Sequence, residues 1–335
     1  MKRGLILISV ASEDTERKEV LDALRCADSV NHALLDKGLL TQIIYIEKSD
    51  FSPPDKIKAA IKKLRPACIF NLLEGYSADS DKEVEFIKIL EDKAVPFTGN
   101  SSLTLQNCLN KQAMKDILVR NNISVPQGVF VDNINNLEED NLRIPLFIKP
   151  CFEDASVGID ENLLVVIRDD LHKIVDEKLI AFRRGLLIEE FIPGREFSVG
   201  FLGEFPYELL GVSVMDYSQH QSFTPFLTYT AKWESTHRSF KDLLPSCEEE
   251  IEESMRREII GIASQAGKVL GCQGYFRVDL RERNGQLFII DVNPNPDINK
   301  DSGFMRQAYH KGYSYDDVIG EILNSAANRV AAVRL

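Results

Sequence analysis

The chain has 335 residues, 44% of them hydrophobic and 27% charged, with a formal net charge of −12. That length exceeds one ordinary core and suits two or three globular domains rather than a disordered chain. The acidic balance argues against a nucleic-acid partner, which needs clustered lysine and arginine, but a few local lysines could still hold a small anion.

In chain order, MKRGLILISVAS reads as a first buried strand, because its apolar run is short for a signal peptide and leads into acidic SEDTERKEV. LILISV, QIIYI and CIFNLL read as strands, and NHALLDKG and SDKEVEFIKILEDK as parts of helices. Their alternation predicts parallel βαβ units over the first hundred residues. TGNSS (98–102) is a polar break, followed by a helix over roughly 103–121 that ends at Asn121-Asn122. From about 125 the strands PLFIKP, LLIEEFI, EFSVGFL and ELLGVSV predict an α+β region. In CEEEIEESMRREIIGIASQAGKVLG, Ile251, Met255, Ile259, Ile262, Ala266 and Val269 recur at helical steps behind an acidic first turn. The strands YFRVDLRE and QLFIIDVN then pair around Asn284-Gly285. No run reaches membrane-spanning length, so no membrane partner is expected. The six cysteines, at 26, 68, 108, 151, 247 and 272, lack C-x-x-C spacing and histidine companions. Reduced thiols in a cytoplasmic protein fit them better than disulfides or zinc.

The chemistry concentrates in the last hairpin. Arg277 and Asp279 share one strand face, as do Asp291 and Asn293. The two pairs meet only if the pairing sum is even, which predicts an odd-length loop centred on Gly285, or a bulge, rather than a strict two-residue turn. Two carboxylates and an amide oxygen would then suit Mg²⁺, which is completed by substrate phosphates. The plainer reading is a pair of surface aspartates neutralised by Arg277. Lys149, ending PLFIKP, and Lys111 are candidate phosphate cations, and Ser156 and Gly158 of CFEDASVG could offer backbone N–H groups. Glu189 of LLIEEFIPGREF could accept from an adenine amino group and Glu196 from ribose. Alternatively, Glu189 and Glu190 pair with Arg183, Arg184 or Arg195. Cys151, His220 and His237 read as ordinary packed or loop residues.

These segments, in this order, resemble the ATP-grasp superfamily and, within it, the D-alanine–D-alanine ligases. The carriers are VPFTGNSSLTLQNCLNKQAMKDIL, FIKPCFEDASVGI, LIEEFIPGREFSV, YTAKW, YFRVDL and IIDVNPNPD. The resemblance implies an N-terminal Rossmann-like parallel-sheet domain (1–100), a central ATP-grasp subdomain (101–188) and a C-terminal one (189–335), the last two being α+β units that clamp ATP. It further implies that Lys111, Lys149 and Ser156 hold phosphates, that Glu189 and the backbone of Phe191 and Ile192 read adenine, and that Glu196 holds ribose. Asp279, Asp291 and Asn293 would bind two Mg²⁺ ions, with Mn²⁺ as the alternative. Arg277 would neutralise the oxyanion and Lys232 the transferring phosphate, while Ser302 and Lys232 would hold the second substrate's carboxylate. A homodimer through the N-terminal region is the implied assembly.

The departures from the family pattern cluster around the first substrate. SVASEDTERKEV lacks the expected glycine pair, with Glu16 or Glu19 as substitutes for its glutamate, and Ala155 and Trp233 stand where a serine and a tyrosine are usual. Asp154 and Asp297 replace glycines, and Asp291 replaces a glutamate. The expected function is an ATP-dependent carboxylate–amine ligase for amino acids or related small molecules, acting through an acyl phosphate with an altered first-substrate pocket. The alternatives are a D-alanine–D-alanine ligase of cell-wall synthesis, an ATP-binding regulatory protein without ligase activity, or a kinase-like use of the fold.

Overall fold

Parallel strands need long crossover connections, and the N-terminal region supplies them. β1 (Leu5–Ser12), α1 (Lys18–Asp36), β2 (Leu40–Glu47), α2 (Asp55–Leu64) and β3 (Cys68–Leu72) build a parallel sheet of order β2-β1-β3. The computed structural model describes residues 4–13, 18–53, 55–76, 79–138, 142–152, 163–215, 217, 246–247 and 251–333. Alternate side chains of β1 serve two cores. Ile6, Ile8 and Val10 pack with α1 and the C-terminal helix, and Leu7 packs with Ile57, Phe86 and Ile87, the last two from α3 (Asp81–Asp92).

The helix expected over 103–121 is two helices, α4 (Ser102–Leu109) and α5 (Lys111–Arg120). Asn110 between them is extended (φ −86°, ψ 95°), and its side chain accepts from the Ala113 amide. Asparagine competes with the helical backbone and caps rather than propagates. Lys111 thereby becomes the first residue of a new helix.

Two antiparallel sheets follow. β4 (Gly128–Val131), β5 (Leu146–Pro150), β6 (Leu164–Val165) and β7 (Leu186–Glu190) form the central sheet, in the order β4-β7-β5-β6, covered by α6 (Leu171–Ala181). β8 (Glu196–Gly203), β9 (Glu208–Met215), β10 (Gly274–Arg283) and β11 (Gln286–Asn293) form the C-terminal sheet, in the order β11-β10-β8-β9. On it packs α7 (Glu253–Leu270), whose apolar stripe of Ile259, Ala263 and Ala266 meets Phe201 and Phe276. Met114 and Leu118 of α5 join this same core. After α8 (Gly303–His310), α9 (Tyr315–Val333) returns to the first sheet through Val318 and Ile322. All six cysteines are free thiols. Among the described residues, no helix is long and apolar enough to cross a membrane.

Candidate active site

The last hairpin sets the register of the site. Asn284 (φ 54°) and Gly285 (φ 80°) make a strict two-residue turn, with Arg283 paired to Gln286. Both need positive φ, which Asn-Gly supplies at low cost. The odd-length loop is therefore absent, and the alternative device is present. A bulge between Asp279 and Leu280 shifts the register, so Leu280 faces Ile289 while Asp279 faces Asp291 and Arg277 faces Asn293. Ile290, the extra residue, has no ladder partner, and its carbonyl accepts from Lys149 Nζ at 3.1 Å. One irregularity thus brings the acidic pair face to face and docks a lysine from the central sheet.

Asp279 is buried and well held. Arg277 donates from Nε to Oδ1 at 2.9 Å and from Nη2 to Oδ2 at 2.8 Å, and Ser198, opposite on β8, donates to Oδ1 at 2.7 Å. Arg277 Nε also reaches Oδ2 at 3.2 Å, so these contacts occupy about all four acceptor sites of the carboxylate, and a cation would have to share or displace one of them. Burial works against the Arg277 charge, but Asp279 outweighs it and raises the pKa. Asp291 is more open, its side chain 34% exposed, with Lys111 Nζ at 3.8 Å and the Val292 amide donating to Oδ1 at 3.1 Å. Desolvation pushes its carboxyl up, but Lys111, Lys149 and Arg277 together hold it below the usual value. Asn293 accepts the Asn295 amide at 3.0 Å, which turns the chain beyond the strand.

Glu189 departs from the arginine pairing expected from its neighbours in sequence. Arg283 pairs with Glu190, Arg184 with Asp81 and Arg195 with Glu282. Glu189 instead lies between two buried lysines, with Lys149 Nζ at 2.7 Å and Lys115 Nζ at 2.5 Å. Burial would raise its carboxyl pKa, yet the lysines more than offset that and lower it. The Phe191 amide donates to the Pro145 carbonyl at 2.8 Å. Ile192 is buried beside it. Glu196 accepts from Tyr217 at 3.1 Å and has Arg281 at 3.9 Å. Burial nevertheless raises its carboxyl pKa above the ordinary value. Arg281 itself stacks over the Phe191 ring at 4.6 Å.

The proline-flanked exit is pinned from the TGNSS break. Asn100 donates to the carbonyls of Tyr275 and Pro294 at 3.1 Å and 2.5 Å and accepts the Gln273 amide. Asp297 accepts from the Asn299 amide and side chain, and Asn299 also donates to Asp22 of α1 at 2.8 Å. Ser302 caps α8 by accepting the Met305 amide, with its hydroxyl proton left to donate. Cys151 is a packed residue: its thiol is buried against Asn110, and burial raises its pKa.

Arg277, Asp279, Asp291, Asn293 and Lys111 are therefore linked through direct contacts or ladder pairing, and Lys149 ties Glu189 to them through the Ile290 carbonyl. Glu196 pairs with Arg281, which stands on the same strand as Arg277 and Asp279. Ser156, Lys232, Asp154, Ala155, Trp233, His220, His237 and Glu16 lie outside the described residues. Sequence reading missed Lys115, Ser198, Arg281 and Asn100. Lys115 stands four residues after Lys111 on one helix face, and Arg281 extends the alternation of 277 and 279. Among the described residues no group of three or more His, Cys, Asp and Glu is placed to hold a metal ion. The oxygen set of Asp279, Asp291 and Asn293 fits a hard cation that draws its remaining ligands from water and phosphate. A cavity of about 350 Å³ lined by Leu209, Cys247, Arg256 and His310 lies apart from these residues.

Residues 115–324 match the family model described as D-ala D-ala ligase C-terminus. The D-alanine–D-alanine ligase of Pelagibacter ubique is 31% identical over 92% of this chain and 95% of its own length. An uncharacterised protein, y4sG, of Sinorhizobium fredii is 30% identical over 91% of this chain and 88% of its own length. In fold, the Bacillus anthracis D-alanine–D-alanine ligase crystallised with ATP superposes with a TM-score of 0.77 at 18% identity, covering 98% of this chain and 99% of that one.

Proposed function

Because the chain belongs to the D-alanine–D-alanine ligase family, ATP-grasp enzymes that form C–N bonds, we propose that it joins a small carboxylate to an amine through an acyl phosphate. The observation that carries this reading is the linked set of Lys111, Lys149, Arg277, Asp279 and Asp291 around one bulged hairpin. Lys111 and Lys149 hold the ATP phosphates, Glu189 takes the adenine amino group and Glu196 the ribose. A substrate carboxylate oxygen attacks the γ-phosphorus, and ADP leaves. The amine then adds to the acyl carbon, phosphate leaves, and the nitrogen gives up a proton. Arg277, kept charged by Asp279, faces the oxyanion of that addition.

Asp279, Asp291 and Asn293 would hold two Mg²⁺ ions, which when bound offset phosphate charge. Ser302, and Lys232 by resemblance alone, take the second carboxylate. The working units are 1–100, 101–188 and 189–335, acting in the cytoplasm as a homodimer. The departures at Ala155, Trp233 and Asp297 favour a first substrate other than D-alanine. A second reading, D-alanine as both substrates, is favoured by the Pelagibacter relative.

Phosphate release from Mg-ATP, measured against single and paired amino acids, tests both readings. Release with some pair but not with D-alanine alone supports the rebuilt pocket, and release with D-alanine alone supports the second reading. Silence across the panel with ATP bound would overturn both.

A further inference from the structure

Glu189 is flanked by two ammonium groups, and the proposed reaction uses only one of them. Lys149 and Lys115 contact different oxygens of this carboxylate, and all three side chains are 4–7% exposed. Holding a buried carboxylate in place needs one cation. A second leaves surplus positive charge in a dry place, which costs free energy unless one cation has another anion to serve. The geometry distinguishes the two. Lys149 is shared between Glu189 and the Ile290 carbonyl beside Asp291, at the junction of the two antiparallel sheets. Lys115 is set back on α5 and donates to Glu189.

We infer that Lys115 is a positioning residue for base recognition: it keeps Glu189 an ionised, acceptor-only carboxylate when Lys149 turns to the phosphates, and so makes the site select a 6-amino purine. This rests on the reading of Glu189 as the adenine acceptor. An ionised carboxylate can only accept, whereas a protonated one can also donate. A 6-amino group donates to the ionised form, while a 6-oxo group presents its own lone pairs and is repelled. With Lys149 engaged elsewhere and Lys115 absent, desolvation would drive Glu189 to take up a proton. It could then donate to a 6-oxo purine, and the selection would weaken. Burial already opposes charge on both partners, and each is the main group offsetting it for the other.

The test is calorimetric binding of Mg-ATP and Mg-ITP, which differ at the 6-position, at pH 6 and pH 8. The wild type should prefer ATP by about a hundredfold or more at both pH values. Lys115→Met should lose about tenfold of that preference, more at pH 6 than at pH 8, while Lys115→Arg should retain it. If Lys115→Met does not fold, the double variant Lys115→Met with Glu189→Gln removes opposite charges together. It should lose the preference equally at both pH values, because an amide can both donate and accept. Equal weakening of both nucleotides in Lys115→Met, with the preference intact at both pH values, would make Lys115 a structural strut and overturn the inference alone. An undiminished preference in the double variant would overturn it as well. A wild type without preference would overturn the adenine reading of Glu189, and the inference with it.

Discussion

The central and C-terminal sheets share strand number and antiparallel pairing, and each carries a carboxylate where Lys149 joins them, yet they treat that charge in opposite ways. Glu189 is 4% exposed and contacts two ammonium groups drawn from α5 and β5. Asp291 is 34% exposed, and its ion-pair partner among the described residues is Lys111 at 3.8 Å. The first charge is already neutralised in a dry site, so it can hold geometry. The second keeps lone pairs within reach of solvent, so it can take a metal ion. The same residue chemistry is enclosed by ion pairs in one sheet and left partly open to solvent in the other.

The largest effect that would break this contrast is at Asp291. Asp291→Asn keeps the Val292 hydrogen bond but loses a charge, and should cut substrate-dependent phosphate release about a thousandfold, roughly 4 kcal/mol of barrier. Because three cations hold the Asp291 carboxyl below its usual value, the variant's midpoint in thermal unfolding without nucleotide should fall, but by clearly less than that of Glu189→Gln. A large drop in that midpoint would mean that Asp291 is structural, as Glu189 is.

Next comes Glu189→Gln, which strands two buried lysines and should lower urea-measured stability by about 3–5 kcal/mol at pH 7. The native Glu189 carboxyl titrates below its ordinary value. Its stabilising contribution is therefore full above about pH 4.5 and disappears as pH falls through the lower native pKa. The gap between wild type and variant should close only in strong acid, and a gap independent of pH would sink this account.

The smallest effect sharpens the comparison. Glu196 has its native pKa raised, chiefly by burial. Its ionised form therefore costs the fold stability once pH rises through that raised value, and costs nothing below about pH 4. Glu196→Gln should raise the unfolding midpoint by about 1–2 °C at pH 7, lose that gain near pH 4, and weaken ATP binding about tenfold. Stabilisation with unchanged ATP affinity would remove Glu196 from the nucleotide site.

What the sequence determined by itself is what depends on neighbours along the chain. Strand alternation placed Arg277 with Asp279 and Asp291 with Asn293, parity demanded a loop or a bulge, and the βαβ rhythm implied the parallel sheet. A periodic run also implied one helix over 103–121, because apolar spacing continues through Asn110 and the cap is a local choice that periodicity does not register. Tertiary structure alone decided the rest. Parity could not choose between a longer loop and a bulge at Asp279/Leu280; the two-residue Asn284-Gly285 turn and the Ile290 carbonyl docked by Lys149 accompany the bulge. Likewise, sequence proximity points Glu189 to nearby arginines, whereas its partners are Lys149 and, 74 residues away on α5, Lys115. Charges pair with whatever the fold brings within a few ångströms, and that distance is set by packing between elements rather than by separation along the chain.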